Sequence, residues 1–381
     1  MRRGATRPPS GRLRRGPVGG SARAEGSGSP FSGSCARRLA MGDDGPMCPL
    51  SREHPPPRAP RKGSQVAVLA NPAARRGRAA DDLEGVLARL RTHGIEPLTL
   101  DSGSAGEALA AARYAVEMEI PRLVAVGGDG IVHLAADAAA GSRTVLGVVA
   151  AGTGNDFAGA LDLDRGDLAD RVDRALADPV AVDVVIHSEP TTGTHPTSHA
   201  ATVCIAGFPA MVNARAESMD RPRGPSRYTL ATLLAIGGMR PAQYRLTCRG
   251  GPDDGRIVDQ RCAVVAVANT GLFGGGMRIC PDARPNDGLL DVCLVGDVGR
   301  IALLRAFPKV RTGAHLDHPA VTILRTAEVD LELVDPEPSG GTGADRLRAD
   351  GEPFGSLPST LAARPGALWV AGAVPEPVGR S

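Results

Sequence analysis

Two apolar runs in this chain each empty into glycine. Leu123-Val124-Ala125-Val126 leads into Gly127-Gly128-Asp129-Gly130, and Val145-Leu146-Gly147-Val148-Val149 leads into Gly152-Thr153-Gly154-Asn155-Asp156. A strand that ends in glycine and resumes as a helix leaves several backbone N–H groups without partners, and such groups make a seat for phosphate. An acidic side chain in that seat would repel a bare phosphate. Asp129 and Asp156 therefore need a metal ion, a donor partner or a structural job. The combination points to a nucleotide kinase site without a Walker lysine.

The surrounding pattern supplies the scaffold for such turns. Gln65–Ala70 reads as a strand ending in Asn71-Pro72. Asp81–His93 carries apolar residues at helical spacing (Leu83, Val86, Leu87, Leu90), and Gly94 closes it. A strand at Pro97–Leu100 follows, then a helix over Ala105–Glu117 that Ser104 can cap. The strand into Gly127, a helix over Ile131–Ala140, the strand into Gly152 and a helix from Asp156 complete the alternation, which predicts a mostly parallel sheet flanked by helices. In such a sheet Asn71, Gly127–Gly130 and Gly152–Asp156 all fall at carboxyl ends of strands, the edge where open α/β sheets bind ligands. Taken singly, each is better explained as a tight turn without a ligand; together on one edge they favour a binding site.

Beyond about residue 180 the helices thin out. Ala181–Ile186, Ala200–Ile205, Tyr244–Cys248, Cys262–Ala268, Leu289–Leu294 and Val329–Leu333 read as strands, with helices only at Pro225–Gly237 and Arg300–Val310. The expected organisation is a disordered tail over 1–63, an α/β nucleotide-binding domain over 64–186, and an antiparallel β-sandwich domain over 187–381. The last run, Ala367–Val370, can pair with either.

Charge separates the tail from the body. Residues 1–63 hold thirteen Arg or Lys against four Asp or Glu, so with a whole-chain net charge of +2 the remainder carries −7. That Arg-, Pro-, Gly- and Ser-rich tail cannot bury enough surface to offset its chain entropy. It is either a solvated tail, including an over-long start before Met41 or Met47, or a polybasic arm for anionic lipid. Only Lys62 and Lys309 are lysines, so the arginines reflect coding bias as much as any nucleic-acid surface, and no nucleic-acid partner is expected. Seven cysteines without a CxxC pair fit free thiols in a reducing cytoplasm. No stretch approaches the roughly 20 apolar residues of a membrane span.

Later segments carry further chemistry. Gly274-Gly275-Gly276-Met277 and Pro281-Asp282-Ala283 precede Asn286-Asp287-Gly288, which signals a hairpin before an apolar run. Asp287 also suits an oxygen-coordinated Mg²⁺ ion, although spacing favours the hairpin. Asp350-Gly351-Glu352 puts a carboxylate beside a tight turn; such a residue is usually only exposed, yet it is also the type that accepts a hydroxyl proton in phosphoryl transfer. The histidines, among them His195, His199, His315 and His318, show no metal-ligand pattern.

In order and spacing these motifs resemble the diacylglycerol kinase catalytic-domain family, which includes sphingosine kinases and bacterial soluble lipid kinases. The Gly-Thr-Gly-Asn-Asp-Phe-Ala segment starting at Gly152, Asp287-Gly288-Leu289-Leu290-Asp291 and Asp350-Gly351-Glu352 make the resemblance specific; the Gly127–Gly130 turn is shared with NAD kinases and phosphofructokinases. The resemblance implies ATP contacts at Asn71, Thr99, Gly127, Gly128, Asp129, Gly130, Ile131, Val132, His133, Gly152 and Thr153. It implies Glu352 as general base, Asp129 as the carboxylate for Mg·ATP geometry, and a structural Mg²⁺ held by Asp287 with the carbonyls of Arg284 and Leu289. It implies phosphorylation of a lipid hydroxyl, most simply of diacylglycerol to phosphatidic acid, by a cytoplasmic enzyme in peripheral contact with a membrane; a homodimer is compatible with it. A sphingosine-type or other lipid kinase, an NAD-kinase-like enzyme and a nucleotide-binding regulator that has lost catalysis are the alternatives. Two residues depart from the family pattern: Ile131 stands where threonine is usual, and Ala150 replaces a common proline.

Overall fold

A computed structural model of the chain describes residues 56–70, 78–100, 102–188, 198–207, 241–334 and 344–379. The first half alternates as the apolar spacing demands: β1 (Gln65–Ala70), α1 (Arg78–Thr92), β2 (Glu96–Leu100), α2 (Ala105–Glu117), β3 (Arg122–Gly127), α3 (Asp129–Ala139), β4 (Val145–Ala150), α4 (Asp156–Ala160) and α5 (Leu168–Ala175). Strands β2, β1, β3 and β4 lie side by side and parallel. The pleat sends Ala67, Leu69, Leu123, Ala125, Leu146 and Val148 to one face, where they meet Ala108, Ala112 and Ala115 of α2 and Ala135 and Ala139 of α3. Val66, Val68, Val124, Val126 and Val149 go to the other, against Val86 and Leu90 of α1 and Val172 of α5. A sheet covered on both faces explains the near-continuous apolar runs.

Ser104 caps α2 as predicted, accepting the Glu107 N–H. Helix α3 begins at Asp129, two residues before the predicted Ile131, because the Ile131 and Val132 N–H groups both reach the Gly128 carbonyl. Residues 56–63, which composition assigned to the tail, run against this half. The Arg58 carbonyl accepts from the buried Arg122 guanidinium, and the Ala59 N–H donates to Asp178.

The second half is antiparallel: β5 (Pro179–Ser188), β6 (His199–Ala200), β7 (Val203–Gly207), β8 (Ala242–Arg249), β9 (Ile257–Ala268), β10 (Leu272–Phe273), β11 (Met277–Arg278), β12 (Leu290–Gly296), β13 (Val321–Thr326), β14 (Glu328–Leu333), β15 (Arg346–Ala349), β16 (Glu352–Ser356) and β17 (Ser359–Ala371), with helix α6 (Arg300–Val310) between β12 and β13. Strands follow one another as β16-β15-β7-β9-β8-β14-β17, and β12 joins β9 to β13. Their inner faces enclose Cys204, Tyr244, Leu246, Val265, Val292, Leu324, Val329, Leu347, Phe354 and Leu361.

Strand β17 ties the halves together. It pairs antiparallel with β5 and β14, and Val370 lies parallel to Leu146 of β4. The ambiguous Ala367–Val370 run thus serves both sheets.

Two predictions need correction. The Ala200–Ile205 strand is broken into β6 and β7, because the Ala201 and Thr202 N–H groups leave the ladder to donate to Asp350. The Asn-Asp-Gly turn forms no hairpin: β12 pairs with β9 and β13, and the Gly288 N–H donates to Asp183 at 2.7 Å. The tail to residue 55, Asn71, His195 and the helix expected at Pro225–Gly237 lie outside the described residues.

Candidate functional site

The glycine turns after β3 and β4 back directly onto each other. A Cβ on Gly152 would stand 2.4 Å from the Gly128 Cα, and one on Gly154 would stand 2.6 Å from Asp129 Oδ2. A side chain at Gly152 would drive the two turns apart, and one at Gly154 would displace the Asp129 carboxylate. The Ala151 N–H donates to the Gly127 carbonyl at 2.8 Å. Asn155, in the left-handed region at φ 56°, closes the second turn on itself: its Oδ1 accepts from the Gly152 N–H and its Nδ2 donates to the Gly152 carbonyl, both at 3.0 Å.

Both awkward carboxylates have donor partners. Asp156, the first residue of α4, accepts the Gly275 N–H at 2.9 Å and the Gly276 N–H at 2.7 Å. Those glycines form the tip of the short β10–β11 hairpin, so Asp156 clasps the second half of the chain to the second turn. Burial raises the Asp156 carboxyl above its ordinary range against the pull of those N–H groups. Asp129 lies against the start of α4. Burial and then the Asp156 charge raise its pKa, and the N–H groups of Asp156, Asn155 and Phe157 oppose the rise.

Asp350-Gly351 links β15 to β16 as a two-residue loop, with φ of 53° and 91° at the two positions and Ala349 paired to Glu352. Positive φ at both is the geometry such a loop requires, which is why Asp-Gly serves. The Asp350 carboxylate turns inward. It accepts from the N–H groups of Ala201 at 2.9 Å and Thr202 at 2.8 Å and from the Thr202 hydroxyl, and it pairs with His133 Nδ1 at 2.8 Å. Burial alone would raise its pKa, but the His133 hydrogen bond and charge and the Thr202 and Ala201 donors hold it below the carboxylate range. Burial would lower the His133 pKa, yet Asp350, Asp137 and Glu352 hold it above its ordinary value.

This anchored hairpin delivers Glu352 to the first glycine turn. The exposed Glu352 carboxylate lies 3.8 Å from where a Cβ would sit on Gly130, at the start of α3. A carboxylate from late in the sequence thus meets a helix N-terminus from the first half. Exposed Thr153 lies on the adjoining turn.

Other expected residues fall elsewhere. Ile131 and Val132 are 5% and 4% exposed, packed in the apolar layer beneath α3, and their N–H groups are already used by Gly128. The N–H groups of Asp129 and Gly130 precede the first intrahelical bond and are the ones left for a ligand. The Gly152 N–H is spent on Asn155 and the His133 Nδ1 on Asp350. Thr99 is exposed on β2, two strands away from β3.

The Asp287 carboxylate, expected to hold a cation with the carbonyls of Arg284 and Leu289, is engaged by the chain itself. Asp287 Oδ1 accepts the Leu289 N–H at 3.0 Å, and Oδ2 takes the Arg325 guanidinium, whose Nε lies 3.7 Å from Asp291. The chain supplies its own cation there, and the Arg284 guanidinium faces Glu376 at 3.5 Å. Among the described residues no group of three His, Cys, Asp or Glu is placed to hold a metal.

Sequence reasoning missed the anchoring role of Asp350. Its one readable signal was the Asp-Gly dipeptide between apolar segments; Ala201, Thr202 and His133 carry no mark of it.

Residues 65–186 match the diacylglycerol kinase catalytic domain, and residues 202–372 match the YegS C-terminal NAD kinase β-sandwich-like domain. The chain is 31% identical over 309 residues to a diacylglycerol kinase of Mycobacterium tuberculosis, covering 80% of this chain and 94% of that one. It is 25% identical over 299 residues to a diacylglycerol kinase of Bacillus subtilis, covering 77% and 91%. A crystal structure of a diacylglycerol kinase from Bacillus anthracis shares the fold, with a TM-score of 0.58, 16% identity, and 82% and 98% of the two chains covered. The two matches fall on the α/β half that carries the glycine turns and on the antiparallel β half. The chain belongs to the diacylglycerol kinase family.

Proposed function

We propose that the protein transfers the γ-phosphoryl group of Mg·ATP to the free hydroxyl of diacylglycerol, giving phosphatidic acid. The observation that carries this reading is the Glu352 carboxylate lying against Gly130, where a phosphate chain would meet an incoming hydroxyl. In this reading the phosphates of the Mg·ATP substrate rest on the Asp129 and Gly130 N–H groups at the positive end of α3, with Thr153 alongside. Glu352 accepts the hydroxyl proton as the lipid oxygen bonds to the γ-phosphorus. The bond from that phosphorus to the β–γ bridging oxygen breaks, and ADP leaves. The Asp350–His133–Thr202 network holds the hairpin, so Glu352 meets the turn without a large ordering cost. The relatives named as diacylglycerol kinases support the acceptor class. The domain boundaries proposed are 64–186 for the nucleotide-binding half and 187–381 for the β half.

The test is labelled ATP with mixed micelles of candidate lipids and purified protein. Label in phosphatidic acid is the expected result. Label confined to a sphingoid base would move the acceptor to another lipid, and ATP binding without any labelled lipid would refute the kinase reading.

A further inference from the structure

Helix α6 is mostly exposed and has an unusual surface. Only Leu303 is buried; Ala306 and Val310 are partly covered on the same side, and Val310 packs on the cluster that holds Ile279, Cys280 and Phe273. The opposite side exposes Ile301 at 67% and Leu304 at 43%, with Pro308 beside them; Phe307, one turn from Leu303, is exposed at the edge of the buried side. At about 100° per residue, Ile301, Leu304 and Pro308 form the outward stripe. Arg305 and Lys309 fall on one flank of it, and Arg300 and Arg311 on the other. No acidic residue lies between Asp297 and Asp317, and none of these four cations has an ion-pair partner among the described residues. Among the described residues, the exposed apolar pair Tyr114 of α2 and Met118 just after it is bordered by Glu117 and Glu119.

An apolar stripe with cations on both flanks matches the boundary between anionic head groups and acyl chains. The β half therefore presents cations outward although the chain beyond residue 63 carries a net charge of −7. Phe273 of the hairpin whose tip clasps Asp156 packs against the same cluster as Val310, so the helix and the glycine turns are linked through one apolar layer. Among the described residues no helix is long and apolar enough to cross a membrane. We infer that α6 is an interfacial helix that docks the protein on an anionic lipid bilayer, with Ile301 and Leu304 entering the acyl boundary and Arg300, Arg305, Lys309 and Arg311 meeting the head groups. This deepens the lipid-kinase reading and rests on it for its purpose.

The full chain is sedimented, without ATP, with vesicles of phosphatidylcholine alone or mixed with phosphatidylglycerol, at low and high salt. The wild-type protein is expected to pellet with the anionic vesicles, less so at high salt. Two double variants, Ile301→Ser/Leu304→Ser and Arg305→Ser/Lys309→Ser, are expected to lose about tenfold or more of that binding. Both are expected to keep wild-type turnover on a short-chain diacylglycerol supplied as monomer, which shows that they fold. Equal pelleting by wild type and both variants overturns the inference, as does equal binding to neutral and anionic vesicles. So does a dimer that the variants dissociate while vesicle binding stays intact. Pelleting needs no phosphoryl transfer: vesicle binding through α6 without labelling of any lipid would refute the kinase reading and leave the docking surface standing.

Discussion

Two Asp-Gly pairs in the β half look alike in sequence and end in opposite situations. Asp350-Gly351 forms a true two-residue hairpin, and its carboxylate is buried among two backbone N–H groups, a hydroxyl and His133. Asp287-Gly288 forms none; its carboxylate faces Arg325 near the surface, and the glycine N–H goes to Asp183. Both were candidates for chemistry because an acid beside glycine is cheap to present. The difference teaches that the dipeptide only permits a turn, while the partners that arrive from distant strands decide what the acid does. Around Asp350 the partners fix a neighbour, Glu352, against the phosphate turn. Around Asp287 they neutralise the charge and stop there.

The largest expected contrast between the two turns is in turnover. Glu352→Gln should cut it by about 10²–10⁴-fold, the range for a lost general base, with ATP affinity unchanged. Asp287→Asn should leave turnover within a few fold. Steady-state rates and nucleotide titration check both, and equal losses would erase the distinction.

Next comes the anchor. Asp350→Asn should cost about 3 kcal/mol of stability, because it leaves a buried His133 without its counter-charge. Its pH dependence follows from two opposite shifts. The Asp350 pKa lies below the ordinary 3.8, so its contribution is present above that value and lost as pH falls through the lowered pKa. The His133 pKa lies above the ordinary 6.5, so its contribution is full below 6.5 and lost as pH rises through the raised pKa. The pair therefore stabilises most between pH 3.8 and 6.5. Thermal melts across pH 5 to 8.5 should show the gap between wild type and Asp350→Asn narrowing at the alkaline end.

A smaller effect is expected at Ile131. Its side chain is in the core, so Ile131→Thr should lower stability by about 1–2 kcal/mol through a poorly partnered buried hydroxyl. Activity should not rise, and a gain in turnover in the labelling assay would bring the residue back to the ligand side.

The smallest effect sharpens the other turn. Arg325→Gln should cost less than about 1 kcal/mol, since the ion pair is partly exposed. It should also make the melting temperature respond to Mg²⁺ against chelator, whereas the wild-type value should not respond. A wild-type response to Mg²⁺ would show that Arg325 does not occupy the cation position.

Much of the fold was legible because periodicity is a local property. Alternation over β1 to α4 gave the parallel sheet, Ser104 marked its helix, and α6 was read to the residue. Boundaries slipped where a distant donor or acceptor intervened. Asp350 splits β6 from β7, the Gly128 carbonyl draws the start of α3 back to Asp129, and Arg122 holds the chain near Arg58. In the candidate site, the two glycine turns were legible as motifs, whereas Glu352 was singled out by the family resemblance, since its spacing alone fits an exposed carboxylate beside a turn. Assigning every residue of the first turn to the ligand failed at Ile131 and Val132, since the helix turns those two side chains into the core.

The sequence by itself determined that two strands end in glycine, that an acid-glycine turn follows late in the chain, and that both kinds of layer are present. These rest on backbone freedom and on side-chain periodicity, which neighbouring residues encode. Only the tertiary structure decided that Gly128 meets Gly152, that Asp156 reaches Gly275, and that Arg325 faces Asp287. Those pairings join residues up to 119 positions apart, and the widest of them, Asp156 to Gly275, joins the two halves that β17 ties together.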